Sequence, residues 1–164
     1  MRTFRAWCPT PLGPLLVEGT DAAVRRIAFG RRPPGASGPL PAVLAAAVRE
    51  LEEYFGGQRR TFSFALELAG TPFQKRVWEQ LAGIPYASTA TYGGIAASIG
   101  RPGAARAVGG ANHHNPAVIV VPCHRVIGAG SSLTGYGGGL WRKSWLIAHE
   151  QSVEATGRPA SRPG

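Results

Sequence analysis

The pair Cys123-His124 puts a thiol beside an imidazole in the chain. A free thiol, with a pKa of about 8.5, attacks well at neutral pH only when a base or a helix N-terminus helps it ionise. His124 is the adjacent base, and a third group would have to orient its ring. Glu150 is the first carboxylate after Glu79. The residues therefore allow a Cys-His-Glu nucleophilic set. They equally allow a Cys-His pair with only a structural role. Cys8 and Cys123 are the two cysteines, and no two-Cys, two-His spacing of the zinc-finger type occurs. A structural metal is not expected, and neither is a disulfide.

Ala117–Val121 is short, apolar and β-branched. That predicts a buried strand presenting Cys123 at its end. Leu140–His149 reads as a helix ending near Glu150, which could return the acid to His124. Gly128–Gly139 contains six glycines and reads as a loop. Upstream, Tyr92–Ile99 and Ala104–Asn112 read as short helices on either side of Gly100-Arg101-Pro102-Gly103. That is helix-turn-helix spacing. The second helix consists of small side chains with one arginine, Arg106. Such a face suits close approach to a partner or an ordinary helix contact.

The first part of the chain reads differently. Leu12–Glu18 and Ala23–Phe29 are predicted strands around Gly19-Thr20-Asp21. Gly30–Pro41 is a Pro- and Gly-rich loop, and Ala42–Phe55 has apolar residues at helical spacing. Phe62–Leu68 alternates as a half-buried strand does. Thr71-Pro72-Phe73-Gln74 then opens a helix with a capping box. These elements place strands first and helices later, with a soft domain boundary around residues 68–72, and leave 151–164 as a mobile tail. Trp141 and Trp145 are expected to pack in the core or between domains.

Charge adds a constraint on partners. The 164 residues carry 18 Lys+Arg against 9 Asp+Glu, a formal charge of +9. Residues 80–149 hold five basic side chains and no acidic one. Such a span suits a surface meeting a polyanion, or a Gly-rich apolar stretch with little charge of either sign. No apolar run reaches the length of a membrane span, and the N-terminus lacks a signal-peptide core.

Several motifs occur together: Tyr92, AARAVGGAN, Asn115-Pro116, VPCHRVIG, LTGYGGGLWRK and Glu150. In order and spacing they resemble the O6-alkylguanine-DNA alkyltransferases across residues 71–150. The N-terminal third is more weakly similar, through LGPLLVEG and Ala42–Phe55. The resemblance implies an α+β fold, with an α/β domain and a small antiparallel sheet over residues 1–70 and a mainly helical, winged-helix-like domain carrying the helix-turn-helix and the reactive residues over 71–150. It also implies DNA repair by direct damage reversal. An alkyl group would pass from guanine O6 to Cys123, with the base flipped out of the duplex and one lesion repaired per molecule. It assigns His124 as base through a water, Glu150 as its orienter, and Asn115 as the residue holding the turn around the cysteine. Tyr92 would hydrogen-bond guanine N3, and the carbonyls of Cys123 and Val126 would accept from its amine. Tyr136 would wall the pocket, and the Gly137 N–H would contact O6. Arg106 would enter the base stack, with Ala104, Ala105 and Gly109 letting the helix sit close to DNA.

The expected partner is double-stranded DNA with O6-alkylguanine, with O4-alkylthymine open. No cofactor, metal or membrane is expected, and the protein would be a cytoplasmic monomer that joins the nucleoid when bound to DNA. A protein that binds lesions without repairing them is one alternative, disfavoured by cysteine at position 123. A Cys-His-Glu hydrolase would not need Arg106. A bare transcription regulator would leave Cys123, His124 and Glu150 unexplained.

Overall fold

The computed structural model describes residues 1–35 and 38–163. Ala36 and Ser37 of the expected loop, and Gly164 of the expected tail, lie outside them. The first layer is an antiparallel sheet in the order β1 (Phe4–Cys8), β2 (Leu15–Gly19), β3 (Val24–Phe29). Sequence reading missed β1, which pairs Ala6 with Val17 and Cys8 with Leu15. Its burial alternates over only five residues, too short a signal to separate from a polar N-terminus. Helix α1 (Ala42–Phe55) lays Leu44, Ala47 and Leu51 on this sheet, as its spacing predicts.

The outer edge of β3 is covered by two non-strand segments. Val24 N–H donates to Ala65 O and Glu67 N–H to Val24 O, both at 2.9 Å. Ile27 N–H donates to Pro116 O at 2.8 Å, and Val118 N–H donates to Ile27 O at 3.1 Å. An edge strand must be paired or covered, and here the cover brings residues 116–118 against the sheet. Two predictions change as a result. Phe62–Leu68 does alternate in burial but makes only one bridge, at Leu66. Ala117–Val121 is not a strand. Ile119 has φ of 74°, which reverses the chain, and Val121 N–H donates back to Ala117 O. An apolar run reports burial, not extension.

The second layer is helical. Helix α2 (Pro72–Ala82) starts at the expected capping box between Thr71 and Gln74. After β4 (Ala90–Thr91) come α3 (Tyr92–Ser98) and α4 (Ala105–His113), which form the helix-turn-helix. Trp78 on α2 fixes α4 through Nε1 to Ala111 O at 2.9 Å. Strand β5 (Val126–Ile127) pairs parallel with β4, so the residues just after the cysteine are tied to the entry of α3. Both strands have two residues, below the length at which sequence periodicity registers.

Helix α5 runs from Leu140 to Thr156, well past the expected end near Glu150. Glu150 and Val153 share one buried face, and Gly157 closes the helix in the left-handed conformation. The tail then folds back. Trp145 Nε1 donates to Ser161 O and Ala160 N–H to His149 Nδ1. Trp145 stacks on His149, ring centroids 4.8 Å apart. Trp141, expected inside, is 51% exposed.

Candidate active site

Cys123 opens a single 3-10 turn, Cys123–Arg125, on the far side of the Ile119 reversal. Asn115 staples that reversal from within. Its Nδ2 donates to Val121 O at 2.7 Å, and its Oδ1 accepts from Ala117 N–H at 2.9 Å. A β-branched residue held at positive φ is strained, and strain of this kind persists only where neighbours fix it. Asn115, the β3 edge and Pro122 supply the fixing.

Behind the cysteine lies a buried charge cluster. His124 Nε2 donates to Glu150 Oε2 at 2.7 Å. Arg125 forks onto both oxygens of Glu150, at 2.7 and 2.9 Å. Tyr54 hydroxyl and Ala87 N–H complete the shell at 2.6 and 3.1 Å. Burial alone would raise the Glu150 pKa, but His124 and Arg125 outweigh it and hold the carboxyl well below the usual range. Burial, helped by the Arg125 and Lys143 cations, pushes the His124 pKa down despite Glu150. The ring is therefore neutral, with its proton on Nε2. Its Nδ1 is left as an acceptor, with no hydrogen-bond partner among the described residues.

The Cys123 thiol is pushed up to about 11 by burial, which Asn115 and Lys143 only partly offset. At rest the site holds a neutral thiol and a neutral imidazole. The thiol lines a cavity of about 180 Å³ together with Val118, Tyr136, Gly137, Asn112 and Phe29. Gly138 borders the same space. A Cβ there would lie 2.9 Å from the Tyr136 ring and 3.2 Å from the Phe29 ring. Main chain alone fits.

A second groove runs between α4 and the glycine loop, lined by Tyr92, Ala105, Arg106, Gly109, His113 and Thr134. His113 borders both spaces. The structure thus brings Cys123, Tyr136, Gly137 and Asn115 together, with His124 and Glu150 behind them. It brings Tyr92, Arg106, Ala105 and Gly109 to the adjoining groove. Val126 is buried in β5, and Ala104 packs against the core. Arg106 is exposed. Both thiols, Cys8 and Cys123, are free and buried.

Sequence reading missed several members. Lys143 is fully buried, and its Nζ donates to Thr134 O at 2.8 Å and lies 3.5 Å from the Tyr92 hydroxyl. Its spacing from Leu146, Glu150 and Val153 puts it on the buried face of α5, a legible signal. Tyr54 and Ala87 carried no such mark, because their contacts with Glu150 are long-range.

With this geometry in place, the class of protein is clear, and comparison with known proteins agrees. Residues 72–152 match the family model described as the 6-O-methylguanine DNA methyltransferase DNA binding domain. Residues 4–68 match that of the 6-O-methylguanine DNA methyltransferase ribonuclease-like domain. The chain belongs to the 6-O-methylguanine DNA methyltransferase family. A methylated-DNA–protein-cysteine methyltransferase of Mycolicibacterium paratuberculosis is 50% identical over 146 residues, covering 87% of this chain and 88% of the relative. One of Methanosarcina acetivorans is 45% identical over 148 residues, covering 87% and 95%. The crystal structure of Mycobacterium tuberculosis O6-methylguanine methyltransferase superposes with a TM-score of 0.82 at 45% identity, covering 92% and 94%. The same organism's protein in complex with DNA gives a TM-score of 0.82 at 45% identity, covering 93% of this chain and 94% of that one.

Among the described residues, no group of three or more His, Cys, Asp or Glu could hold a metal ion. No helix among the described residues is long and apolar enough to cross a membrane.

Proposed function

We propose that this chain is a methylated-DNA–protein-cysteine methyltransferase that moves an alkyl group from guanine O6 in DNA to Cys123, once per molecule. The observation that carries this reading is the thiol of Cys123 at a small cavity with the His124–Glu150 pair fixed behind it. Family membership supports it.

The thiol must lose its proton to attack saturated carbon. His124 Nδ1 is the free acceptor for that proton, through a water, and Glu150 stabilises the imidazolium that forms. Cys123 Sγ bonds to the alkyl carbon as the bond from carbon to O6 breaks. The electron pair goes to O6, and the base leaves as neutral guanine after taking a proton from water, while the thiol proton held on His124 returns to solvent. Tyr92, its hydroxyl beside Lys143, contacts guanine N3 and favours that neutral leaving base. The thioether is stable, so the protein does not turn over.

The base must leave the duplex to reach Cys123, at a cost of about a few kcal/mol. Arg106 fills the gap, and Ala105 and Gly109 keep α4 slim enough for the minor groove. Groove and cavity both border His113, so they adjoin on the route that the flipped base would take. Minor-groove binding reads little sequence, as a repair protein requires. Residues 1–70 and 71–150 act as two domains, a division that the two family matches support. We read the partner as double-stranded DNA with O6-alkylguanine, and the protein as a cytoplasmic monomer.

The test is mass spectrometry after mixing with O6-methylguanine duplex. One methyl group per chain is expected, on the peptide containing Cys123. A methyl elsewhere, none with folded protein, or repeated turnover would overturn the reading.

A further inference from the structure

Residues 132–139, which carry part of the wall of the Cys123 cavity, lie outside helix and strand. Ordering such a segment costs conformational entropy, most of all at glycine, so it keeps one position only where it is pinned. Gly137 has little support of its own. A Cβ there would find its nearest neighbour, His113, at 4.0 Å.

Two consecutive residues of α5 pin the loop on either side of Tyr136 and Gly137. Before them, Lys143 Nζ donates to Thr134 O at 2.8 Å. After them, Arg142 Nη1 donates to Gly138 O at 2.8 Å. Consecutive helix positions point about 100° apart, so the two side chains reach the loop at separate points.

Arg142 also reaches the N-terminal layer. Its Nε donates to Leu12 O at 3.0 Å, 130 residues away in the chain. Its guanidinium carbon lies 4.4 Å from the centre of the Phe29 ring and 4.6 Å from that of Trp141. Phe29, at the end of β3, lines the cavity together with Cys123 and Gly137. Packing at the junction is close, since a Cβ on Gly138 would lie 3.2 Å from both Arg142 Cδ and the Phe29 ring. One planar guanidinium thus ties together the turn between β1 and β2, the end of β3 and the glycine loop. The reacting cavity is walled from both layers of the fold, and Arg142 joins them.

We infer that Arg142 is a positioning residue for alkyl transfer, which fixes the Tyr136-Gly137 wall of the cavity by clamping Gly138 to Leu12 and Phe29 of the N-terminal layer. The inference rests on the transfer reading above, with the Gly137 N–H as the donor to guanine O6. The electron pair arrives on O6 as its bond to the alkyl carbon breaks. A donor held in place there stabilises the transition state more than the bound substrate.

The experiment measures single-turnover transfer from O6-methylguanine duplex over a range of DNA concentrations. It yields a limiting rate constant and a half-saturating concentration. Arg142→Leu should lower the limiting rate constant by about tenfold to a hundredfold, the scale of a misplaced group or a lost donor at a developing anion. The half-saturating concentration should change far less, and transfer from free O6-methylguanine base should slow by a similar factor. Arg142→Lys should recover part of the loss at most, because one ammonium does not reproduce the planar fork. A merely structural role would lower the Tm and leave the rate constant of the folded protein unchanged. That result overturns the inference, as does a change confined to half-saturation or to duplex DNA. Full recovery in Arg142→Lys would also overturn it, since charge alone would then suffice. Should Arg142→Leu not fold, Arg142→Lys decides, and a wild-type rate constant in it overturns the clamp. No transfer by the wild-type protein would overturn the transfer reading itself. Wild-type transfer with unaffected variants would overturn only this inference.

Discussion

The Tyr54 hydroxyl on α1 donates a 2.6 Å hydrogen bond to Oε2 of Glu150 on α5. Tyr54 belongs to the helix that covers the N-terminal sheet, and Glu150 holds the ring of His124, the residue next to Cys123 in the chain. The first layer of the fold thus reaches into the buried charge cluster. Tyr54 also keeps its ring against Tyr86 and His149, so the hydroxyl can be removed with little loss of packing. Tyr54→Phe should cost about 1.5–3 kcal/mol of stability, the range for a hydrogen bond to a charged group. Denaturant unfolding measures it. A loss near zero would mean that Arg125 and Ala87 satisfy the carboxylate alone.

Glu150 should also set the acid limit of the fold. Its carboxyl is held below the ordinary value of 4.5 by His124 and Arg125, against the opposing effect of burial. A group depressed in the folded state contributes stability that is present above its unfolded pKa and lost as pH falls through the folded one. Wild-type stability should therefore drop steadily as pH falls below about 4.5. Glu150→Gln should be less stable at pH 7 by about 3–5 kcal/mol, because it leaves Arg125 buried and uncompensated. Its stability should depend less on pH below 5 than that of the wild type. Parallel slopes for the two proteins would remove Glu150 from this role.

The resting thiol should be poorly reactive until a substrate base arrives. With its pKa pushed up to about 11, Cys123 is almost wholly protonated at pH 7. In a Cys8→Ala background, thiolate absorbance should rise only at strongly alkaline pH, and iodoacetamide labelling should follow it. His124→Ala should leave that titration on the alkaline side yet slow alkyl transfer by about 10²–10⁴, the usual contribution of a general base. A thiolate already formed at pH 6 would contradict a neutral resting pair.

Much of this site was legible because its chemistry is local. Cys123, His124 and Asn115 lie within ten residues of one another, and Thr71 with Gln74 marks the start of α2 in four. The supports were less visible. Lys143 could be found from its helical face, but Tyr54 meets Glu150 across 96 residues of chain, which no periodicity encodes. Ala117–Val121 misled because burial and strand share one composition, and only Ile119, turned to positive φ, separates them. Helix α5 was cut short because Gln151 and Ser152 look polar, while Val153 keeps the buried face going.

Arg106 should matter for duplex DNA and little else. It is exposed at the groove beside α4, away from the Cys123 cavity. If it fills the gap left by the flipped base, Arg106→Ala loses the stabilisation of the extruded state and one phosphate-attracting charge. Extrusion costs about a few kcal/mol, so transfer from duplex should slow by about 10²-fold or more. Transfer from a free O6-alkylguanine base needs no extrusion and should keep its wild-type rate. Affinity should fall with salt in both proteins, and only modestly, because Arg125 and Lys143 are buried and leave at most three of the five basic side chains of residues 80–149 for phosphate contact. Rates for duplex and free base, measured side by side, separate the two effects. Equal slowing of both would place Arg106 in folding or in the cavity, not in the stack.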